Sequence, residues 1–279
     1  MKIELASSYG FCFGVKRAIN IAQKYTNSST MGPLIHNEDE INRLKKDFNV
    51  GLYSNLSDVK PEDTIIIRTH GIPKDELKEL KKTTKKVINA TCPFVTTPQN
   101  IVKNMSKEGY SIVIFGDINH PEVKGVMSYA TDIEDVHIIL CKEDLKNLKF
   151  KKNKIACVAQ TTKKKETYLE IVNELILKNK EVRVFNTICD ATFENQDAAR
   201  DISIKADVMI VIGGKSSSNT KQLHSICLEN CKDSYLIENE QELEISWFKD
   251  KKFCGITAGA STPDWVIQKV INKIESFKL

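Results

Sequence analysis

Three cysteines of this chain occupy the same kind of position, between an apolar run and a helix-like run. Cys12 lies between two glycines in the stretch GFCFGV, after a strand-like run from Ile3 to Ala6. Cys92 and Cys189 each end a V-x-N-x-x-C pattern, and an amphipathic stretch follows each of them. A thiol at the start of a helix faces the positive end of the helix dipole, which lowers its pKa and favours the metal-binding thiolate.

The separations between these cysteines, from 12 to 92 and from 92 to 189, are each about the size of a small α/β domain. We infer three similar units, each with one cysteine at the C-terminal end of a strand, where open α/β sheets bind ligands. Three thiolates from separate units suggest an iron–sulfur cluster or a metal ion, with one coordination position left for substrate. Three ordinary buried cysteines are the alternative, and the spacing alone leaves it open.

Polar residues collect at the ends of other strand-like runs. His36, His70 and His120 lie beside Asn, Gly or Pro and not inside apolar periodic runs. Histidines at three such strand ends are better explained as donors to an anion. A zinc site would need ligands brought together from separate units, and no local ligand spacing supports one. His137 and His224 lie within element-like runs and are interpreted as structural.

Two loops rich in glycine, alanine and serine open helix-like runs. They extend from Gly213 to Thr220, which includes Ser217, Ser218 and Asn219, and from Ala258 to Ser261. Such loops present backbone N–H groups, hydroxyls and the helix dipole to an anion, although neither has a Walker A pattern. A capped tight turn explains either loop alone. Together with the histidines, the two loops predict a phosphate or diphosphate pocket.

One carboxyl lies beside this group of histidines. Glu122 follows His120 and Pro121 in the same loop. In a closed pocket, desolvation would raise the pKa of this carboxyl and make it a usable proton donor. Thr161, at another strand end, is a candidate to hold a substrate hydroxyl. An exposed charge in the first turn of a helix is the alternative for Glu122.

The composition excludes several classes of protein. With 279 residues, 41% of them hydrophobic and 28% charged, the chain has enough apolar residues for a globular core. The opening Met-Lys-Ile-Glu-Leu has no signal-peptide pattern and no apolar run has membrane-spanning length, so we expect a cytoplasmic protein. The net charge of +4 is mild, and the lysine runs lack the interleaved aromatic residues of a nucleic-acid binder.

The remaining cysteines are interpreted as structural. Cytosolic cysteines are more often metal ligands, catalytic thiols or core residues than disulfide partners. Cys227 and Cys231 have one-turn helical spacing, but no further ligand pattern near them supports a zinc site. The structural set is Cys141, Cys157, Cys227, Cys231 and Cys254.

Apolar runs alternate with helix-length amphipathic runs throughout the chain, which predicts an α/β fold with parallel sheets. No linker or low-complexity segment separates the three units. We therefore predict three α/β domains at 1–92, 93–186 and 187–279, with Cys12 and Cys92 near the two ends of the first.

Taken together, these segments resemble the LytB/IspH family, the 4-hydroxy-3-methylbut-2-enyl diphosphate reductases of the non-mevalonate isoprenoid pathway. The matching pieces occur in family order from residue 10 to residue 265, so the resemblance covers nearly the whole chain. They are GFCFGV, PLIHN, RTHG, ATCP, HPEV, QTT, TIC-x-AT, GGKSSSNT and TAGASTPDW. The resemblance implies three pseudo-symmetric α/β domains with mainly parallel sheets around a central iron–sulfur cluster.

The resemblance also implies an activity and a set of site residues. Cys12, Cys92 and Cys189 would hold a 4Fe–4S cluster whose fourth iron binds the substrate hydroxyl. Glu122 would supply protons and Thr161 would organise the hydroxyl, which leaves as water through an allyl anion. The products would be isopentenyl and dimethylallyl diphosphate, with ferredoxin or flavodoxin as the electron donor. The diphosphate would be held by His36, His70, His120, Ser217, Ser218, Asn219 and Ser261.

Three positions depart from the commonest family pattern, and two other functions are considered. Asn89, Asn119 and Asn195 stand where aspartate, glycine and arginine are usual. Another three-cysteine iron–sulfur enzyme such as quinolinate synthase has a substrate without a diphosphate, so the two serine loops argue against it. A non-enzymatic redox sensor would leave Glu122, Thr161 and the anion pocket unexplained.

Overall fold

The computed structural model describes residues 1–277, in which parallel strands alternate with helices. In chain order the main elements are β1 (Lys2–Leu5), α1 (Phe13–Lys24), β2 (Ser28–Met31), α2 (Glu38–Phe48), β3 (Val50–Tyr53), β4 (Thr64–Ile67), α3 (Lys74–Thr83), β5 (Lys86–Asn89), α4 (Pro93–Lys107), β6 (Ser111–Phe115), α5 (Pro121–Met127), β7 (Val136–Ile139), β8 (Lys154–Ala159), α6 (Lys165–Lys178), β9 (Glu181–Val184), α7 (Asp190–Ser203), β10 (Val208–Ile212), α8 (Ser218–Asn230), β11 (Ser234–Ile237), β12 (Phe253–Ala258) and α9 (Asp264–Ser276).

The strands form three four-stranded sheets, and every pair within them is parallel. The orders are β3-β2-β4-β5, β7-β6-β8-β9 and β11-β10-β12-β1. Each sheet thus has its second strand, first strand, third strand and fourth strand side by side, with β1 as the fourth strand of the last sheet. The predicted α/β class with parallel sheets and three similar parts is confirmed.

The N-terminal strand differs from the predicted domain arrangement. We expected β1 to open a first domain at 1–92, but it pairs with β12, with Lys2 opposite Phe253 and Leu5 opposite Ile256. The difference arises because each cysteine follows the fourth strand of its sheet. The cysteines therefore mark the ends of the three structural repeats and not their beginnings. The residues before Cys12 therefore complete the repeat that begins near residue 190, while the boundaries near 92 and 187 stay a prediction.

The chain divides into two compact units. The first comprises Met1–Lys16, Ile35–Arg43 and Asp190–Leu279 and holds the sheet of β10, β11, β12 and β1. The second comprises Arg17–Leu34 and Leu44–Cys189 and holds the other two sheets. No helix within residues 1–277 combines the length and apolar character needed to span a membrane.

The cores of the sheets are built from the apolar strands that the sequence pattern shows. In the first unit, Ile210 and Ile256 pack with α9 on one face of the sheet, and Met209 and Leu223 pack on the other. β6 and β10 are buried along their whole length, which is typical of central parallel strands covered on both faces. These buried sheets position the loops at the C-terminal ends of their strands.

Candidate functional site

The three predicted cluster cysteines share one backbone arrangement. Each follows the fourth strand of its sheet, and its N–H donates to a carbonyl two residues beyond the end of the third strand. The N···O distances are 3.2 Å from Cys12 to Ala260, 2.9 Å from Cys92 to Thr69 and 3.0 Å from Cys189 to Thr161. The repeated sheet therefore brings one thiol to the equivalent strand end in each repeat.

The V-x-N-x-x-C pattern has a local structural role. The side-chain oxygen of Asn89 accepts a hydrogen bond from the N–H of Thr91 at 3.0 Å, and Asn186 accepts from Ile188 at 3.3 Å. An asparagine that bonds the backbone two residues on makes an Asx turn. The turn ends the strand and directs the chain to the cysteine. The aspartate usual at position 89 would make the same bond, so this departure conserves the turn.

Exposure separates the three candidate ligands from the core cysteines. Cys12, Cys92 and Cys189 are partly exposed, whereas Cys157, Cys227, Cys231 and Cys254 are buried. Burial raises the pKa of Cys157, Cys227 and Cys254 to about 12, so these three remain neutral thiols at physiological pH. Three accessible soft donors fit an iron–sulfur cluster. Cys141, also partly exposed, precedes a 3-10 turn after β7 instead of following a fourth strand.

His120 and His70 lie close together in the second unit. Their rings meet edge to face with centroids 5.2 Å apart. His120 precedes α5, and its Nδ1 accepts a hydrogen bond from the N–H of Glu122 at 3.2 Å. A ring nitrogen that accepts this bond carries no proton, so the proton of the neutral ring is on Nε2. The helix cap thus places the ring proton of His120 on Nε2, where it can donate a hydrogen bond.

Glu122 is completely buried, and both oxygens of its carboxyl are hydrogen-bonded by Thr161. Its Oε1 accepts from the N–H of Thr161 and its Oε2 accepts from the Thr161 hydroxyl, both at 2.7 Å. Burial raises the pKa of the carboxyl, and the two bonds from Thr161 oppose that rise only in part. The alternative of an exposed helix charge is therefore wrong. A buried carboxyl with a raised pKa is suited to donate a proton.

Gln160, which the sequence does not mark as a site residue, joins the two loops that carry Glu122 and Thr161. Its Oε1 accepts from the N–H of Asp117 at 3.0 Å, and its Nε2 donates to the Thr162 hydroxyl at 3.1 Å. Buried amides that satisfy two loops at once hold them in register. The signals in the sequence were its place directly before Thr161 and its position in the QTT segment of the family resemblance.

In the first unit, His36 and Ser261 come together. The Ser261 hydroxyl donates to the backbone oxygen of His36 at 3.0 Å. Gly214 lies against the same carbonyl, since a Cβ added there would lie 2.4 Å from the His36 oxygen. Only glycine permits this approach, which explains one of the glycines in the predicted anion loop.

The serine loop after β10 ends in the cap of α8. The Ser217 hydroxyl accepts from the N–H of Thr220 at 3.3 Å, and Ser218 and Asn219 form the first turn of the helix. Asn219 is buried, yet neither atom of its amide has a hydrogen-bond partner among residues 1–277. Buried amides are nearly always paired, so an unpaired one at a helix N-terminus indicates a polar ligand.

The LytB protein family matches residues 3–275 of this chain. The chain belongs to the LytB family. A 4-hydroxy-3-methylbut-2-enyl diphosphate reductase of Sulfurovum sp. (strain NBC37-1) is 66% identical over 278 residues, with all of both chains covered. The reductase of the same name from Campylobacter jejuni is 62% identical over 279 residues, again with full coverage. The LytB family is iron–sulfur dependent.

Solved structures of this family have the same fold. One, of (E)-4-hydroxy-3-methyl-but-2-enyl diphosphate reductase, has a TM-score of 0.71 and 41% identity and covers 99% of both chains. The corresponding reductase of Plasmodium falciparum has a TM-score of 0.89 and 30% identity, covering 97% of this chain and 86% of its own. The predicted family and fold are confirmed.

The two remaining departures from the LytB pattern have defined places. The N–H of Asn119 donates to Asp117 Oδ1 at 2.8 Å, inside the loop that leads to His120, and the residue is exposed. Asn195 is buried, and its Oδ1 accepts from the Ser8 hydroxyl at 2.6 Å. This bond ties α7 to the segment before Cys12, so Asn195 has a partner of its own in this chain.

Proposed function

We propose that this chain reduces 4-hydroxy-3-methylbut-2-enyl diphosphate to isopentenyl and dimethylallyl diphosphate, the last step of the non-mevalonate pathway. Two electrons and two protons are consumed, the C–O bond to the hydroxyl breaks, and water leaves. The observation that carries the proposal is Glu122, a fully buried carboxyl that no ion pair within residues 1–277 compensates. Burying such a group costs stability, and a chemical task explains why the protein keeps it. The names of the relatives support the same reaction.

Three thiolates are assigned to the cofactor. Cys12, Cys92 and Cys189 would hold a 4Fe–4S cluster, leaving one iron without a protein ligand. The cluster, when bound, supplies electrons and a Lewis-acidic iron for the substrate hydroxyl. The equivalent strand ends and the partial exposure of the three thiols support this assignment. The electrons would come from a cytoplasmic carrier such as ferredoxin or flavodoxin.

The diphosphate is assigned to donors that already have fixed orientations. His120 offers Nε2–H because its Nδ1 is engaged by the backbone. Asn219 offers an amide with no partner among the described residues. Both lie at helix starts, where the dipole adds to the attraction for a diphosphate. The full set is His36, His70, His120, Ser217, Ser218, Asn219 and Ser261.

The proton path begins at Glu122. When the carboxyl is protonated, its O–H can donate to the Thr161 oxygen, and the Thr161 hydroxyl can then donate its own proton onward. Through its own hydroxyl, Thr161 would hold the hydroxyl of the substrate. The N–H of Thr161 keeps the carboxyl oriented in both protonation states.

Anaerobic turnover tests the function. The purified protein with its cluster should convert the hydroxylated diphosphate to the two isoprenoid diphosphates when a low-potential chemical reductant is supplied. Mössbauer spectra with and without substrate should show one iron site that changes and three that do not. Reductant oxidation without dehydroxylated product, or four unchanged iron sites, would contradict the proposal.

Replacement of Asn219 by leucine should weaken ligand binding without harming the fold. Leucine has a similar volume and removes a buried amide that the described protein leaves unpaired. We expect an unchanged or higher thermal midpoint. Affinity for the substrate diphosphate should fall roughly ten- to a hundredfold, the range for hydrogen bonds to a charged group. Isothermal titration calorimetry measures the affinity.

Thr257→Val is the matched control for this prediction. Thr257 lies in β12, and its buried hydroxyl also has no partner within residues 1–277, but it is not assigned to the pocket. This variant should keep full affinity. If Asn219→Leu also kept full affinity, or if a monophosphate analogue bound the unaltered protein as tightly, the diphosphate assignment would be wrong.

A further inference from the structure

We propose that Arg68 is a positioning residue for His70, and that it acts through a hydrogen bond and not through its charge. The inference rests on the proposed role of His70 in binding the diphosphate. Arg68 directly follows β4 and lies two residues before His70. Arg68 begins the RTHG segment that carries part of the family resemblance, but the sequence assigns it no role.

The turn that carries His70 is closed from both sides by Arg68. The N–H of Gly71 donates to the backbone oxygen of Arg68 at 3.0 Å. The side-chain Nε–H of Arg68 donates back to the oxygen of Gly71 at 3.1 Å. Gly71 has a φ of 73°, so the turn needs a glycine there. The reciprocal bonds fix the residue after His70.

The residue before His70 is fixed by other contacts. Thr69 donates through its N–H and its hydroxyl to the oxygen of Leu34, at 3.2 and 2.9 Å. Its own oxygen accepts from the N–H of Cys92 at 2.9 Å. The backbone of His70 is therefore held on one side by this network and on the other by the reciprocal bonds of Arg68.

The guanidinium is confined by a glycine at the end of the neighbouring strand. A Cβ added at Gly32 would lie 2.6 Å from Nη1 of Arg68 and 3.2 Å from its Cζ. Gly32 has a φ of 71°, and its N–H donates to Tyr53 at 2.9 Å, so its backbone is held in place. Close packing against Gly32 directs Nε toward Gly71.

Within residues 1–277, no carboxylate forms a salt bridge with Arg68. Burial lowers the pKa of its guanidinium, and the charge of Glu76 opposes that shift only from a distance. A half-buried cation without a carboxylate in contact is costly, which argues for a specific task. Two tasks fit this position: a clamp on the turn, or a positive charge for the anion. The reciprocal bonds favour the clamp.

Two substitutions separate these tasks. Arg68→Gln places an amide N–H where Nε was and removes the charge, whereas Arg68→Lys keeps the charge and has no donor at that position. We expect Arg68→Gln to bind inorganic pyrophosphate within about twofold of the unaltered holoprotein. Arg68→Lys should lose roughly three- to tenfold, the effect of one net hydrogen bond. The KM for substrate should rise by the same factor at unchanged kcat, as for lost uniform binding.

A glycine pair tests the same point with Arg68 present. Gly32→Ala should displace the guanidinium and weaken pyrophosphate binding as Arg68→Lys does. Gly109→Ala is the control, because Gly109 also has a positive φ, 82°, but an added Cβ meets nothing within 4 Å. Both variants strain a backbone, and only the first should change the affinity. Circular dichroism confirms that each is folded.

The His70→Ala variant separates failure of this inference from failure of the proposed function. We expect Arg68→Lys to have no further effect once His70 is alanine, since the clamp then positions nothing. If His70→Ala weakens pyrophosphate binding but Arg68→Lys binds normally, or Arg68→Gln is the weak variant, the clamp is wrong. If His70→Ala binds normally, the diphosphate assignment of His70 is wrong and the role of Arg68 falls with it.

Discussion

Glu122→Gln should retain an intact cluster and near-normal substrate binding but lose roughly 10²–10⁴ in turnover, the contribution of a positioned general acid. Glutamine keeps the side-chain length, and its oxygen can still accept from the N–H of Thr161. It cannot release a proton to the leaving hydroxyl or to the allylic carbon. The measurement is anaerobic kcat with an artificial reductant in excess. Full turnover under these conditions would remove Glu122 as the proton source.

A second buried glutamate provides the control for this prediction. Glu40 is as buried as Glu122, but it pairs with Arg43 at 2.6 Å and accepts from the indole N–H of Trp265 at 3.1 Å. Glu40→Gln should therefore cost stability through the weakened ion pair and leave turnover unchanged. A loss of turnover in both variants would indicate a general effect of buried carboxyls and not a specific proton donor.

The same substitution has a predictable effect on the pH dependence of stability. Burial raises the pKa of Glu122 in the folded protein, so the folded state binds its proton more tightly than the unfolded state does. The stability from this group is fully present below the unfolded pKa of a glutamate and is lost as the pH rises through the folded pKa. Relative to Glu122→Gln, the unaltered protein should lose thermal stability as the pH rises over that interval. A constant difference would contradict the raised pKa.

Replacing any one of Cys12, Cys92 and Cys189 by serine should abolish most of the cluster absorption and the activity. A serine hydroxyl is a harder and far less acidic ligand than a thiolate, so the site should lose its affinity for iron. Visible absorption and iron content of anaerobically purified protein measure the effect. Activity should fall with iron content in all three variants, because each thiol occupies the equivalent strand end.

The controls differ in exposure. Cys141→Ser tests a partly exposed thiol that does not follow a fourth strand, and Cys254→Ser tests a core thiol. Both should keep the cluster absorption, although the second should lower the thermal midpoint because a hydroxyl replaces a thiol in an apolar core. Loss of the cluster in these two variants and its retention in the other three would overturn the ligand assignment.

The sequence by itself determined the local features of this protein. The apolar runs predict parallel strands, since side chains covered on both faces of a sheet must all be apolar. The recurring cysteine after a strand-like run predicts three similar parts, and the repeated strand order bears this out. The asparagine of V-x-N-x-x-C acts on the backbone only two residues away, which is why a short pattern was sufficient to mark it.

The tertiary structure decided what depends on distant parts of the chain. β1 pairs with β12, which is far from it in sequence and is joined to it by no direct crossover, so no local pattern reveals this partner. The burial of Glu122 and the unpaired amide of Asn219 likewise depend on which surfaces pack over them. The position of the Arg68 side chain also depends on a distant part of the chain. The sequence assigns Arg68 no role, whereas in the structure its guanidinium packs against Gly32 and its Nε–H donates to the turn that carries His70.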